Sequence, residues 1–417
     1  MKIKLNKNLQ LYFSGQVVSQ IGTFMQQTAL SWLVYRLTGS TVMLGVIGFT
    51  AQAPSLVLAP IAGVIADRTN RHKLIMTTQA LAMVQAALLA GVVWTNHVQL
   101  WQLIVLSTFL GIIAAFDMPI RQSFLADLVN GDKSQLASAI AFMSSASMLT
   151  KLIGPCVAGV LVSWVGEGSC FWANCLSYLA VIIALLFVKS KQMMSTTRNT
   201  GAFSQLREGF LYKIGCVQIR ELLILLALVG LLVVPFSVLM PAFAKDVFHG
   251  NAMTLGWLTG MSAFGATLGA LFLASKGGRE ATRWIAFGYF ISGVSLIAFG
   301  ASSFFPLSLF LATISGFGSM IVMSGAMTVI QTVVAEEMRG RVMSFVVMAV
   351  LGLGPIGFMA AGALANVVGT GRTVIVDGVL ILISSLLLGA RVARGVTKPI
   401  LATVIEVVEE EEVRMTA

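Results

Sequence analysis

Charged residues are scarce in this 417-residue chain, in which Asp, Glu, Lys and Arg make up only 11%. Soluble domains usually carry about 25%. Apolar residues make up 57% and the mean hydropathy is +0.90, whereas a soluble core stops growing near ~250–300 residues and needs a polar surface. The composition therefore excludes a water-soluble fold and predicts a membrane protein.

Cysteine and histidine are also few, with four and three copies. The cysteines lack the spacing of metal ligands, so we interpret them as small apolar residues within or beside helices. The histidines all fall in predicted connectors, and no nucleophile stands beside a plausible base. A phosphate-binding loop of the G-x-x-x-x-G-K-[ST] kind is absent as well. We therefore expect no metal, no cofactor, no enzymatic activity and no ATP-driven pump in this polypeptide.

Apolar runs of about 20 residues, the length that spans a bilayer, dominate what is present. Six precede a polar connector and six follow it: residues 11–35, 41–66, 74–94, 100–118, 137–164 and 169–188, then 222–244, 253–275, 284–304, 307–332, 343–367 and 373–393. Lipid offers the backbone no hydrogen bonds, and runs this long and uniform fit helices only. We predict an all-α integral membrane fold with twelve transmembrane helices.

Positive charge is distributed unevenly among the connectors. With the amino terminus in the cytoplasm, the cytoplasmic segments contain 23 of the 27 Lys and Arg residues and the outer gaps contain three. Such a bias sets orientation, so we expect both termini in the cytoplasm. The basic residues are spread over every cytoplasmic loop instead of forming one patch, so the net charge of +10 does not indicate nucleic-acid binding.

The polar connector divides the chain into halves that share residues at equivalent points. Two dipeptides recur in order: Leu44-Gly45 with Leu255-Gly256, and Gly154-Pro155 with Gly354-Pro355. Six helices per half make a parallel repeat, a layout in which substrate binds between rocking halves. The predicted domains are two six-helix bundles (1–190 and 222–396), a cytoplasmic connector (191–221) and an acidic cytoplasmic tail (397–417). Helix kinks are predicted at Gly154, Pro155, Gly354 and Pro355.

A charged motif, GVIADRTNRHK, lies between the second and third predicted spans at Gly63 to Lys73. It resembles the signature G-x-x-x-D-R-x-x-R-[RK] of the major facilitator superfamily, with His72 where the family has Arg or Lys. The matching residues are Gly63, Asp67, Arg68 and Arg71. The resemblance implies a gating role in which Asp67 and Arg71 lock the outward-facing state. The alternative is that these charges only follow the positive-inside rule.

Longer stretches resemble one branch of that superfamily, the drug and siderophore exporters that include macrolide-efflux and enterobactin-export proteins. These are FDMPIRQSFLADLV, LIGPCVAGVL, VLMPAFAKDVF and RGRVMSF. The resemblance implies the major facilitator fold in a bacterial inner (plasma) membrane. Part of the Gly-Pro motif of antiporters also matches at Gly154, Pro155 and Gly159, although Thr150 replaces its leading glycine.

Polar residues recur at helical spacing in the first predicted span. Gln16, Gln20, Thr23 and Gln27 share one face, which either lines a water-filled pathway or hydrogen-bonds to neighbouring helices. A second such face carries Ser144, Ser147 and Lys151. The ammonium of Lys151 is costly in lipid and should point into the bundle, where it either contacts an anionic substrate or anchors neighbouring polar groups.

Two acidic residues are candidates for proton coupling. Asp117 lies one turn before Arg121 with Pro119 between them, so the two also form a predicted gating pair that closes the cytoplasmic end. Asp377 lies in the last span and either titrates or extends toward the outer interface. A proton-exchanging group must change protonation as the halves rock.

We expect a secondary transporter that exports amphipathic small organic molecules, drug-like compounds or a siderophore, by alternating access and proton antiport. The implied partners are a small-molecule substrate, a proton or other cation gradient and the lipid bilayer, with the protein acting as a monomer. Import of a siderophore or nutrient is an open alternative, because alternating access runs in either direction. A non-transporting membrane receptor is the alternative of another class.

Overall fold

The computed structural model describes residues 7–129, 132–188, 217–276, 281–334, 342–343 and 345–389. All regular secondary structure in these residues is helical. Most of the predicted connector and the whole predicted tail lie outside the described residues. For the motif residues Gly63, Asp67 and Arg68 the backbone alone is described, so their predicted gating role stays a prediction.

The first half contains six helices: α1 Lys7–Thr38, α2 Thr41–Arg68, α3 Arg71–Trp94, α4 Leu100–Leu128, α5 Lys133–Val165 and α6 Glu167–Phe187. Each overlaps a predicted span. The helix α4 continues ten residues past the predicted end of its span, because hydropathy reports contact with lipid and not the length of a helix.

The second half contains six further helical segments, three of them with π-helical turns. Segment α7 comprises Val217–Leu228, Val229–Val233, Phe236–Ala242 and Phe243–Val247; α8 is Ala252–Lys276, α9 is Ala281–Ala301 and α10 is Phe305–Val333; α11 comprises Met348–Gly352 and Leu353–Val368; α12 comprises Thr370–Ser384 and Ser385–Gly389. The predicted all-α fold with twelve transmembrane helices is confirmed; the boundaries predicted for the domains stay a prediction.

Among the described helices, eleven are long and apolar enough to cross a membrane, and α1 is the exception. Its sequence contains five glutamines, which lower its hydropathy. The helix packs against α5 and α6. Gln16 and Gln26 are buried there and Gln20 is half-buried, whereas Gln10 and Gln27 are exposed. Large apolar side chains such as Trp164 and Phe187 are instead exposed on the outside of the bundle, as lipid contact requires.

Glycine ends two helices at equivalent points of the halves. Gly166 separates α5 from α6 with a φ of 93°, and Gly369 separates α11 from α12 with a φ of 94°. Side chains with a Cβ rarely adopt this conformation. The same sharp turn therefore recurs in both halves, between their fifth and sixth helices.

The two halves pack against each other along two helix pairs, α2 with α11 and α5 with α8. A Cβ added at Gly45 would lie 2.5 Å from the carbonyl oxygen of Phe358 in α11, and one at Gly256 would lie 2.6 Å from the carbonyl oxygen of Pro155 in α5. The recurring Leu-Gly dipeptides thus place a glycine at a close backbone approach in each of the two helix pairs.

Further contacts between the halves gather at one end of the bundle, which contains the α1–α2, α5–α6, α7–α8 and α11–α12 connections. We call it the closed end. There the Thr41 hydroxyl donates to the carbonyl of Gly362 at 2.9 Å, and the Tyr35 hydroxyl donates to the carboxylate of Asp246. Direct hydrogen bonds therefore join the first half to the second at this end.

Candidate functional site

A cavity of about 690 Å³ lies between the two halves. It extends from Ser31 and Leu44 near the closed end to Gln16 and Arg121 toward the opposite end. Of its lining residues, 26 belong to the first half and four to the second; the four are Ser237, Val238, Thr259 and Phe358. Within the described part of the chain, the ionisable lining residues all come from the first half.

Half of the predicted site residues line this cavity, and these are Gln16, Gln20, Thr23, Gln27, Asp117, Arg121, Ser147, Lys151 and Pro155. Ser144 is exposed and lies apart from the lining, although it shares a helix with Lys151. Gly154 packs against Phe24 of α1, while Gly354 and Pro355 are buried in α11. The predicted residues that line this cavity therefore come from three of the first six helices, α1, α4 and α5.

The polar face of α1 both lines the cavity and binds its neighbours. The Gln20 side-chain oxygen accepts from the hydroxyl of Thr150 at 3.2 Å, and the hydroxyls of Thr23 and Tyr178 lie 3.2 Å apart. Gln27 lines the cavity without a hydrogen-bond partner among the described residues. Among the described residues, Gln20 and Thr23 of this face therefore form hydrogen bonds to neighbouring helices, whereas Gln27 only lines the cavity.

A cluster around Asp117 lies at the end of the cavity away from the closed end. Its carboxylate forms an ion pair with Arg121 and accepts from the Thr78 hydroxyl at 2.9 Å and the Gln79 amide at 2.7 Å. Gln16, with its amide oxygen turned toward Arg121, accepts from the guanidinium. The cluster therefore links α1, α3 and α4 around one half-buried carboxylate.

A second polar network beside the cavity escapes the sequence analysis. The Gln26 amide donates to Gln85 at 3.0 Å and accepts from Asn174 at 2.8 Å, and Gln85 donates to the carbonyl of Leu106 at 3.1 Å. These side chains are buried and tie α1, α3, α4 and α6 together. The sequence shows that each of these amides lies within an apolar span, but it does not show which residue each amide hydrogen-bonds to.

Lys151 extends from α5 into the cavity and is exposed there. Its ammonium lies 5.8 Å from the centre of the Phe24 ring, within the range of a cation–π contact. No described carboxylate lies within ion-pair distance of it. The predicted alternative of an anchor for polar neighbours has no described hydrogen bond to support it.

The two remaining acidic and basic candidates lie outside the cavity. Asp377 is buried at 7% exposure on α12, where its Oδ2 has no hydrogen-bond partner. Arg71 is buried at the start of α3 and forms an ion pair of 2.9 Å with Asp127 of α4. Neither side chain is part of the cavity lining. Among the described residues no group of His, Cys, Asp and Glu could hold a metal ion.

We predict that Arg71→Gln destabilises the protein by about 3–5 kcal/mol, because it breaks an ion pair between two buried side chains by removing one of the charges. The measurement is the thermal denaturation midpoint of the purified protein in detergent. Arg36→Gln is the matched control, since Arg36 pairs with Glu167 at 2.7 Å but its side chain is 49% exposed, so its loss should cost less than ~1 kcal/mol. Equal losses in both variants would contradict the prediction.

Two contacts of the closed end are functional candidates that sequence reasoning missed. Tyr35 donates to Asp246 across the halves, while the Lys245 ammonium lies 5.6 Å from the centre of the Tyr35 ring. These residues are 210 or more positions apart, and nothing in the local pattern pairs them. Both contacts would have to break if the halves separated at this end.

Comparisons with known proteins agree with this architecture. Residues 6–400 match the model of a family described as transmembrane secretion effector. The chain is 24% identical over 375 residues to the staphyloferrin A transporter of Staphylococcus aureus, covering 88% of this chain and 92% of the relative. It is 23% identical over 389 residues to macrolide efflux protein A of Streptococcus pyogenes, covering 90% and 94%.

A solved structure with a similar fold is a bacterial homologue of the human lysosomal transporter Spinster, in an inward-facing and unoccupied conformation. The two superpose with a TM-score of 0.75 at 15% identity, over 94% of this chain and 98% of the other. Together with the family match over nearly the whole chain, this confirms the resemblance found in the sequence. The protein is a multi-pass membrane transporter that belongs to the transmembrane secretion effector family of the major facilitator superfamily.

Proposed function

We propose that this transporter exports amphipathic small organic molecules, drug-like compounds or a siderophore, by alternating access driven by proton antiport. The observation that carries the proposal is the cavity of about 690 Å³ between the halves, in which amides and charges share the lining with apolar side chains. Its volume lies within the ~300–1,000 Å³ of small-molecule sites. The efflux protein among the relatives supports the direction.

The position of the cavity supports alternating access. Glycine contacts and hydrogen bonds between the halves seal the closed end, and the charge bias of the sequence puts that end outside the cell. The cavity would then face the cytoplasm, from which an exporter collects its substrate. Separation of α2 from α11 and of α5 from α8 would open it to the other side.

Asp117 is our candidate for the proton-exchanging group. It lines the cavity, so substrate and protons arriving there can reach it, and its ion pair with Arg121 gives it two states with different contacts. Protonation would weaken the attraction between this carboxyl group and the guanidinium. Arg121 would then be released toward Gln16 or toward a bound molecule, which couples the proton to the contents of the cavity.

Everted membrane vesicles test the direction and the driving force. Labelled erythromycin and a set of fluorescent dyes are added outside vesicles whose interior is acidified, with vesicles lacking the protein as the control. Export predicts accumulation that collapses when the pH gradient is dissipated. Accumulation in right-side-out vesicles only would favour import, and binding without flux of any probe would favour a receptor. Secretion of chelator by a deletion strain under iron limitation tests the siderophore alternative.

A further inference from the structure

The charges inside the cavity do not cancel. Its described lining contains three groups that are charged at neutral pH, and these are Asp117, Arg121 and Lys151. Asp117 and Arg121 form an ion pair, so each compensates the other. The ammonium of Lys151 is left over, and the described lining has a net charge of +1. An organic cation entering this space would meet repulsion and no free carboxylate.

The Asp117 carboxylate also accepts hydrogen bonds from neutral side chains. Besides its ion pair, Asp117 accepts hydrogen bonds from Thr78 and Gln79. A cationic ligand would have to displace Arg121, which is itself held by Gln16. The carboxylate is thus occupied by the protein and is not presented to cargo in this conformation.

The ammonium of Lys151, unlike the carboxylate of Asp117, is not occupied by hydrogen-bond partners from the described part of the protein. An ammonium has three N–H donors, and no described side chain or carbonyl accepts from this one; its described contact is with the face of the Phe24 ring. Because the group is exposed to the cavity, all three donors are available to a ligand. A charge-assisted hydrogen bond in a partly dehydrated chamber is stronger than a neutral one.

The surroundings of Lys151 suit the rest of such a ligand. Gln27 and Gln52 line the same cavity without described hydrogen-bond partners, so their amides can bind polar substituents. Phe24, Phe358 and Val238 supply apolar surface from both halves. The arrangement fits a molecule with an anionic head and an apolar or aromatic body.

We propose that the cavity selects amphipathic organic anions and that Lys151 binds their carboxylate, sulfonate or comparable head group. The proposal rests on the proposed function, in that the cavity is the site of cargo, and it names the substrate class. In this proposal Phe24 both supplies apolar surface to the cavity and positions Lys151, because its ring contacts the ammonium on one side while the N–H donors point into the cavity.

Three fluorescent probes with one apolar body test this selectivity: dansylglycine carries a carboxylate, dansylamide is neutral and dansylcadaverine carries an ammonium. Their dissociation constants are measured by fluorescence titration of the full-length protein in nanodiscs. We expect the anion to bind most tightly. In Lys151→Gln its dissociation constant should rise by about tenfold or more, the effect of losing one charged hydrogen bond, while that of dansylamide stays within about twofold.

Two variants keep the result interpretable. Lys151→Arg should retain tight binding of dansylglycine, because it preserves the charge. Lys276→Gln is the matched control: its ammonium also lies over aromatic rings, 5.5 Å from Phe272 and from Trp284, but outside the cavity, and it should bind the probes like the wild-type protein. Equal loss of all three probes in Lys151→Gln, preference for the cation, or binding of none would overturn the proposal.

The outcomes also separate this proposal from the proposed function. A cavity that prefers the cation but drives accumulation in everted vesicles would overturn the charge assignment and leave export standing. Anion-selective binding that depends on Lys151, without flux of dansylglycine in either vesicle orientation, would overturn export and leave the recognition site standing.

Discussion

Gly256→Leu should reduce transport by more than about tenfold while the protein folds and inserts. A Cβ at Gly256 would lie 2.6 Å from the carbonyl oxygen of Pro155 and 3.2 Å from the Cα of Gly159, so α5 and α8 must move apart. Overpacking of this kind costs about 1–3 kcal/mol, which changes a two-state equilibrium about 5–150-fold. The variant should favour the alternative conformation, in which the halves have separated at the end that is closed in this structure.

The conformational shift can be measured separately from flux. With the four native cysteines replaced by alanine, a single cysteine at Ser31 in the cavity is labelled with a membrane-impermeant maleimide from the side of the closed end. Labelling should be slow in the parent protein and several times faster with Gly256→Leu. Gly91→Leu is the matched control, because a Cβ at Gly91 of α3 would meet no atom within 4 Å. Unchanged labelling and normal flux in Gly256→Leu would show that the halves do not separate at this contact.

Asp117→Asn should lower accumulation driven by the pH gradient by more than about tenfold, since a relay without a titratable group has no proton to exchange. Binding of dansylglycine should persist, because the substitution removes negative charge from the cavity and leaves Lys151 in place. Accumulation in vesicles and titration of the purified protein in nanodiscs measure the two effects on the same variant. Asp117→Glu should restore part of the coupling.

Asp377→Asn is the discriminating variant for the proton site. This carboxyl group is buried in α12 with Oδ2 unpaired, outside the cavity lining, so we expect coupling to be retained. Loss of coupling with Asp377→Asn together with full coupling in Asp117→Asn would place the exchanging acid in the second half. Size-exclusion profiles of both variants exclude loss of folding as the cause.

Composition and the order of apolar runs were sufficient to predict the fold class. A chain with 57% apolar and 11% charged residues satisfies its backbone in lipid through helices, and each predicted span overlaps a helix. The sequence also located the polar face of α1 and the lysine of α5, because helical spacing of polar residues within an apolar run is a local property. The Leu-Gly and Gly-Pro repeats likewise marked positions that are equivalent in the two halves.

What these side chains contact depended on distances between segments far apart in the chain. From the sequence, Lys151 could either contact a ligand or anchor neighbouring polar groups. Only the packing of α5 against α1 and α8 showed that its ammonium faces a cavity and has no described ion-pair partner. The partners of Gln26, which are 59 and 148 positions away, and the closure between Tyr35 and Asp246 were decided in the same way. Local periodicity determines which face of a helix is polar, whereas the identity of a partner is determined by which helices meet and at what depth.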